Sequence, residues 1–195
     1  MLLFFDTETT GIINFKAPSD TPGQPHLVQL GYQLYPVDGT RPFHSACFII
    51  KPCGFTISKE ATAIHGITNE LACDIGVDLK WALLGFTHFL TRASLVIAHN
   101  IDFDHAIIQI EWKRCGIHFC QRPLFCTMHA STDVLKLPGN YGNYKWPKLS
   151  EAYEFFTKTP LSNAHDALVD VTACKAVFDG LKKLKVTPND CIKRT

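Results

Sequence analysis

The chain has 195 residues, of which 46% are hydrophobic and 19% charged, so it carries enough apolar material for a sizeable core and lacks the polar bias of a disordered segment. Lys and Arg number 19 against 18 Asp and Glu, a formal net charge of +1, which excludes a global basic field; any basic surface has to be local. No apolar run approaches the roughly 20 residues that cross a bilayer, and Met1 to Phe5 meets Asp6 too soon for a secretory leader. With eight cysteines, the expectation is a cytoplasmic protein of reduced thiols.

Met1 to Phe5 reads as a short buried strand, and Leu27 to Tyr35 as an alternating one, with Val28, Leu30, Tyr32 and Leu34 on one face. Ala46 to Ile50 is a third strand, hairpin neighbour of the second across Pro36, Asp38, Gly39 and Pro42. Helical spacing at Ala61 and Ile64, then at Trp81, Leu84 and His88, predicts two helices. Ser94 to Ala98 is a fourth strand, Ile101 to Arg114 a helix stopped by Gly116, and Pro123 to Thr127 a fifth strand. Leu149 to Phe156 and Ala164 to Leu184 supply the last helices. Three strands followed by alternating strands and helices predict an α/β fold, a mixed five-stranded sheet with helices on both faces. Without an internal linker, residues 1–195 read as one domain with a short basic tail from about 185.

Three segments carry acids. Asp6 and Glu8 lie two residues apart, so an extended backbone puts both on one face; two acids ending a buried strand call for a cation, the alternative being a solvated loop. In His99-Asn100-Ile101-Asp102-Phe103-Asp104, Asn100 can cap the following helix, with Asp102 and Asp104 in its first turn, where acids are ordinary. In Asn163-Ala164-His165-Asp166-Ala167-Leu168-Val169-Asp170, Asn163 is a possible cap and Asp166 its capping-box partner, and since Asp166 and Asp170 share a helix face, spacing leaves both as candidate ligands.

Together these segments resemble the DEDD-type 3′-to-5′ exonucleases of the histidine subclass, relatives of the proofreading subunit of bacterial DNA polymerase III. The family pattern F-D-x-E-T-T-G matches Phe5 to Gly11, H-N-x-x-F-D matches His99 to Asp104, H-x-x-x-x-D matches His165 to Asp170, and Ala63 to Thr68 is similar to the connecting segment. The resemblance covers about residues 1 to 180 and implies a ribonuclease-H-like fold. It selects Asp6, Glu8, Asp104 and Asp170 as ligands of two divalent cations, Mg²⁺ with Mn²⁺ able to substitute, and His165 as general base, leaving Asp102 and Asp166 as bystanders. Such a set suits phosphodiester hydrolysis, because hard cations prefer oxygen donors and can clamp both the attacking and the leaving oxygen. Two departures stand out: a Pro-rich insertion over about Ile13 to Pro25, and Gln29 where relatives often carry an acid.

The implied activity is release of nucleoside 5′-monophosphates from the 3′ ends of nucleic acid, single-stranded and DNA in preference to RNA, alone or within a polymerase or repair assembly. The alternative is a nucleic-acid-binding or polymerase-partner module with an inactive exonuclease fold. Between Val134 and Ser150 there is no acid, and Lys136, Lys145 and Lys148 lie beside Tyr141, Tyr144 and Trp146, a mixture suited to phosphate contact and base stacking. Thr7, Ile12, Ile64 and His65 are similar to family positions near the terminal nucleotide; with Thr9, Asn100, Phe103, Tyr144, Lys145 and Trp146 they form the expected substrate-binding set. Cys115, His118, Cys120, Cys126 and His129 are a weaker zinc candidate without a C-x-x-C pair, and free cysteines are the expectation there.

Overall fold

A computed structural model describes residues 1–118 and 120–186. The basic tail beyond 186, including Lys193 and Arg194, lies outside the described residues. The described chain contains five strands, β1 (Leu2–Thr9), β2 (Leu27–Tyr35), β3 (His44–Ile49), β4 (Leu95–Ala98) and β5 (Leu124–Cys126). Seven helices accompany them: α1 (Lys59–His65), α2 (Asn69–Ile75), α3 (Leu79–Leu90), α4 (Ile101–Cys115), α5 (Thr127–Leu135), α6 (Leu149–Thr157) and α7 (Ala167–Lys183). The sheet runs β3-β2-β1-β4-β5. The first three strands pair antiparallel, whereas β1–β4 and β4–β5 are parallel.

Side-chain alternation along β1 divides the interior in two. Leu3 and Phe5 point toward α3 and α4, where Phe5 meets Phe86 at 5.3 Å between ring centroids and Trp112 is fully covered. Leu2 and Phe4 point the other way, under α5, α6 and α7, and Phe178 packs edge-on against both Phe4 and Phe125 at 5.4 Å. Burying each such ring contributes about 1.5–3 kcal/mol, which is what holds α7 flat on the sheet. No described helix is long and apolar enough to cross a membrane.

Several boundaries differ from the sequence expectation for local reasons. The first strand continues past Phe5 to Thr9, because Asp6, Thr7 and Glu8 stay in register with Gly31, Leu30 and Gln29 of β2. The acids therefore sit on the strand itself. The two helices expected after Ser58 are three, since Gly66 takes a left-handed conformation (φ 75°) that ends α1 and the Thr68 hydroxyl then caps α2 by accepting from Leu71 N. Helix α5 has no counterpart among the expected elements. Helix α7 starts at Ala167 rather than Ala164 because Asp166 is its N-cap: Asp166 Oδ1 accepts from Leu168 N (3.0 Å) and Val169 N (3.1 Å), while Asn163 is left-handed at φ 56° and caps nothing. Asn100 likewise is left-handed (φ 72°) and makes no side-chain cap bond to α4. Asparagine tolerates that region better than other non-glycine residues, so it turns the chain at both places where a cap was expected.

Helix α7 and the Pro-rich insertion are each fixed by a close backbone contact. Gly31 of β2 faces the backbone of Ala167, where a Cβ would lie 2.7 Å from the carbonyl carbon and oxygen, so only glycine lets α7 start this close to the sheet. The insertion is an ordered excursion with closed ends: Thr10 N donates to His26 O and His26 N to Thr10 Oγ1, both at 2.9 Å. Inside it the buried Gln24 amide exchanges bonds with Asn14 O and Asn14 N. Arg114 of α4 donates to Gln24 O, Pro25 O and buried Glu111, whose carboxylate also accepts from Leu27 N at 2.8 Å.

Candidate active site

The expected acids converge at the carboxyl ends of the parallel strands β1 and β4, where open α/β sheets place their ligand crevices. Asp6 and Glu8 project from β1 to the side of α7. Asp104 arrives from the first turn of α4 across the sheet and is tied to β1 by Thr7, which points that way: Thr7 N and Thr7 Oγ1 both donate to Asp104 Oδ1, at 3.0 and 2.7 Å. Asp170 comes from the first turn of α7, its Oδ2 accepting from His165 N at 3.1 Å, while its Oδ1 is buried without a hydrogen-bond partner. Three layers of the fold thus each contribute to one cluster.

The donor atoms of Glu8, His165 and Asp170 lie within 4.8 Å of one another, and this is the one such ligand-capable group among the described residues. Asp6 lies two residues before Glu8 on the same face of β1, and Asp104 is hydrogen-bonded to Thr7 between them. Burial, then the charges of Asp104, Asp170, Glu8 and Asp166, raise the Asp6 carboxyl well above its ordinary range. Burial and the charges of Asp170, Asp104 and Asp166 push Glu8 up to about 8. Asp104 is pushed to about 7 by burial despite the two Thr7 bonds. Asp170 is raised by burial and held back by His165. So many mutually destabilised carboxyls, with an orphaned oxygen on Asp170, fit a hard divalent cation: its charge would offset what burial and repulsion impose. Asp166 spends its Oδ1 on the helix cap, accepting from Leu168 N and Val169 N.

The expected substrate-binding residues fall into three groups. Thr7, Thr9, Ile12, Ile64, His65 and Phe103 line a cleft of about 280 Å³ that opens beside Glu8. Within it, Thr7 has its hydroxyl committed to Asp104, and Thr9 donates to Gly11 O at 2.7 Å, which shapes the turn after the strand. His65 Nδ1 accepts from Ile67 N, which puts the ring proton on Nε2, a buried donor with no partner; burial and nearby His165 lower its pKa. Ile12 and Phe103 also line a second groove of about 700 Å³, together with Asn100 and Trp146. Tyr144 and Lys145 lie on neither wall. The Lys145 ammonium is engaged by Glu151 at 2.6 Å, so the acid-free stretch expected to present a free cation instead borrows a partner from α6.

Sequence reasoning overlooked three contributors. Gln29, seen only as a departure from relatives, accepts from Ala167 N at 3.0 Å and so fixes the start of α7, hence Asp170. His99 spans Thr127 and Pro147 O, each at 3.0 Å, and is pushed down to about 4 by burial; this neutral ring anchors the segment bearing Trp146. Phe15, on the insertion, reaches the second groove. At the zinc candidate, Cys126 is core, Cys115 and Cys120 pack against it, and the described cysteines are free thiols.

Residues 3–178 match the RNase_T family model, described as exonuclease. The chain belongs to this exonuclease family. It is 29% identical over 143 residues to an uncharacterized exonuclease, CP81, of Escherichia phage 186, covering 69% of this chain and 71% of that one. Its fold is similar to that of E. coli exonuclease I in complex with a dT13 oligonucleotide (TM-score 0.73, 20% identity), of which it spans 40% of the length while 93% of its own is covered. A zinc-ion-bound form of the E. coli exonuclease I–ssDNA complex matches alike (TM-score 0.73, 22% identity, 97% of this chain and 42% of the other). Exonuclease X in complex with 5′ overhanging duplex DNA is covered over 97% of its length, with 98% of this chain, at TM-score 0.64 and 19% identity. The mixed five-stranded sheet with helices on both faces is the ribonuclease-H-like fold of these neighbours.

Proposed function

We propose that this exonuclease is a divalent-metal-dependent enzyme of the histidine subclass that shortens single-stranded DNA from its 3′ end and releases nucleoside 5′-monophosphates. The observation that carries the reading is the convergence of Asp6, Glu8, Asp104 and Asp170 from three layers beside the cleft, with exposed His165 next to Glu8 and Asp170. Asp6, Glu8 and Asp170 would hold one Mg²⁺ or Mn²⁺, and Asp6 with Asp104 a second. When bound, such a pair supplies positive charge to the attacking and leaving oxygens. His165 accepts the proton of the attacking water, and the Glu8 and Asp170 oxygens near its ring stabilise the imidazolium that results. The water oxygen bonds to phosphorus, the 3′ oxygen of the next nucleotide leaves, and the phosphate stays on the 5′ carbon of the released unit. Thr7 and Gln29 are positioning residues, the first acting through Asp104, the second through α7. DNA is favoured because the neighbours of known structure are complexes with single-stranded or overhanging DNA. The four intact carboxyls argue against a binding module with a dead site.

The test is digestion of 5′-labelled DNA and RNA oligomers, with free and blocked 3′ ends, in Mg²⁺ or chelator. Stepwise shortening that needs the metal and a free 3′ end, is lost in Asp6→Ala, and falls sharply in His165→Ala without loss of metal binding is expected. Shortening from the 5′ end, or none in Mg²⁺, overturns the reading.

A further inference from the structure

We propose that the second groove seats the nucleobase next to the terminal nucleotide, and that Phe15, carried by the Pro-rich insertion, is a stacking surface selecting for a base there. The inference rests on the proposed exonuclease activity; the groove holds Ile12, Asn100, Phe103 and Trp146 of the expected substrate-binding set, and the residue added to them is Phe15.

The groove encloses about 700 Å³, within the range of ligand sites, and shares Ile12 and Phe103 with the smaller cleft beside Glu8. A strand whose last nucleotide enters the cleft therefore brings the next one to the groove. The lining identifies which part of that nucleotide fits. Phe15, Phe103, Trp146 and the His129 ring supply π faces, and no lysine or arginine is among the lining residues. A phosphate would find no cation, whereas a base finds faces to stack on and, in the Asn100 and Gln109 amides, groups that can meet its edge. Trp146 is 65% exposed and Phe15 64%, so these two large rings of the lining present apolar faces to solvent.

Both rings are held from behind. His99 bonds Pro147 O next to Trp146, and Trp146 leans on His129 at 5.1 Å. Phe15 adjoins Asn14, whose N–H and carbonyl are bound by the buried Gln24 amide, and Gln24 O accepts in turn from Arg114 of α4, which also donates to Glu111. An exposed ring on a braced loop is preorganised: stacking costs it little ordering entropy. The bracing runs through residues remote from the carboxyls, so it serves the entrance and not the metal cluster.

Abasic scanning tests this. Single-stranded DNA oligomers lacking one base at the first, second, third or fourth position from the 3′ end are digested under single-turnover conditions in Mg²⁺, and a parallel set carrying 2-aminopurine is read by fluorescence in chelator. Wild type is expected to lose about tenfold in rate when the second base is missing, the factor expected of one base–aromatic stack, and to quench 2-aminopurine at that position. Phe15→Ala should cleave intact strands at the reduced rate, ignore the missing base and lose the quench; Phe15→Tyr should restore all three, with melting temperatures confirming that each variant folds. The proposal is overturned if the second base makes no difference, if only another position does, or if Phe15→Ala slows intact and abasic strands by the same factor. If no strand is shortened, the nuclease reading fails by itself, while the fluorescence still decides the base seat.

Discussion

Glu8→Gln should make the metal-free protein more stable. In the folded chain Glu8 is pushed from an ordinary 4.5 to about 8, chiefly by burial and then by Asp170 and Asp104. A raised acid favours folding only while both states are protonated. As pH climbs from about 4.5 to 8, the unfolded chain releases this proton and the folded chain keeps it, so stability falls by about 1.4 kcal/mol per pH unit over that window, and above pH 8 the whole penalty is present. The geometry gives a second measure: unit charges on Glu8 and Asp170 no more than 4.8 Å apart repel by at least about 3.5 kcal/mol at an effective dielectric constant of about 20. Removing one of them should gain about 3.5–5 kcal/mol at pH 8.5 in chelator, a rise of about 7–20 °C in melting temperature for a chain of this size. At pH 5 the gain should shrink toward zero. With saturating Mg²⁺ or Mn²⁺ the order should invert, since wild type binds the ion and the variant has lost a ligand. Thermal denaturation of both proteins at three pH values, with and without metal, is the assay. A variant no more stable than wild type at pH 8.5 in chelator, or a gap independent of pH, would refute the electrostatic account of the site.

Gly31→Ala should cost about 1–3 kcal/mol and reduce turnover out of proportion to stability, because the added carbon pushes the start of α7, and with it Asp170 and His165, off the sheet; melting curves beside single-turnover rates check it. Glu111→Ala should destabilise by about 3–5 kcal/mol, leaving Leu27 N–H orphaned and Arg114 short of its acid, and limited proteolysis should then nick residues 13–25 while wild type resists. Asp166→Ala should cost only about 1 kcal/mol, the value of a helix cap, and keep the full stabilisation by Mg²⁺; loss of that response would make Asp166 a ligand after all.

Much of the arrangement was legible because it rests on short-range periodicity. Alternation placed Asp6 and Glu8 on one face, and the switch from period two to helical spacing located β4, α4 and α7 closely. What escaped depends on contacts distant in sequence. Face arithmetic leaves Asp166 and Asp170 equivalent; in the fold the cap engages Asp166 Oδ1, while Asp170 keeps a buried oxygen without a partner. Asn100 and Asn163 carry a signal shared by caps and left-handed turns, and only the path of the chain decides between them. Lys145 looked available because its partner, Glu151, stands beyond the acid-free stretch. Thr7 lines the cleft, but nothing local reveals that its hydroxyl also donates to an acid 97 residues away.

The paired bonds between Thr10 and His26 have an evolutionary corollary. They clamp the neck of the insertion just past the strand that bears the two acids, so residues can be gained, lost or exchanged beyond the neck without shifting the register on which Asp6 and Glu8 depend. The chemistry and the mouth through which a strand reaches it are mechanically separable, and a lineage could refit the second for new nucleic-acid ends while inheriting the first unchanged.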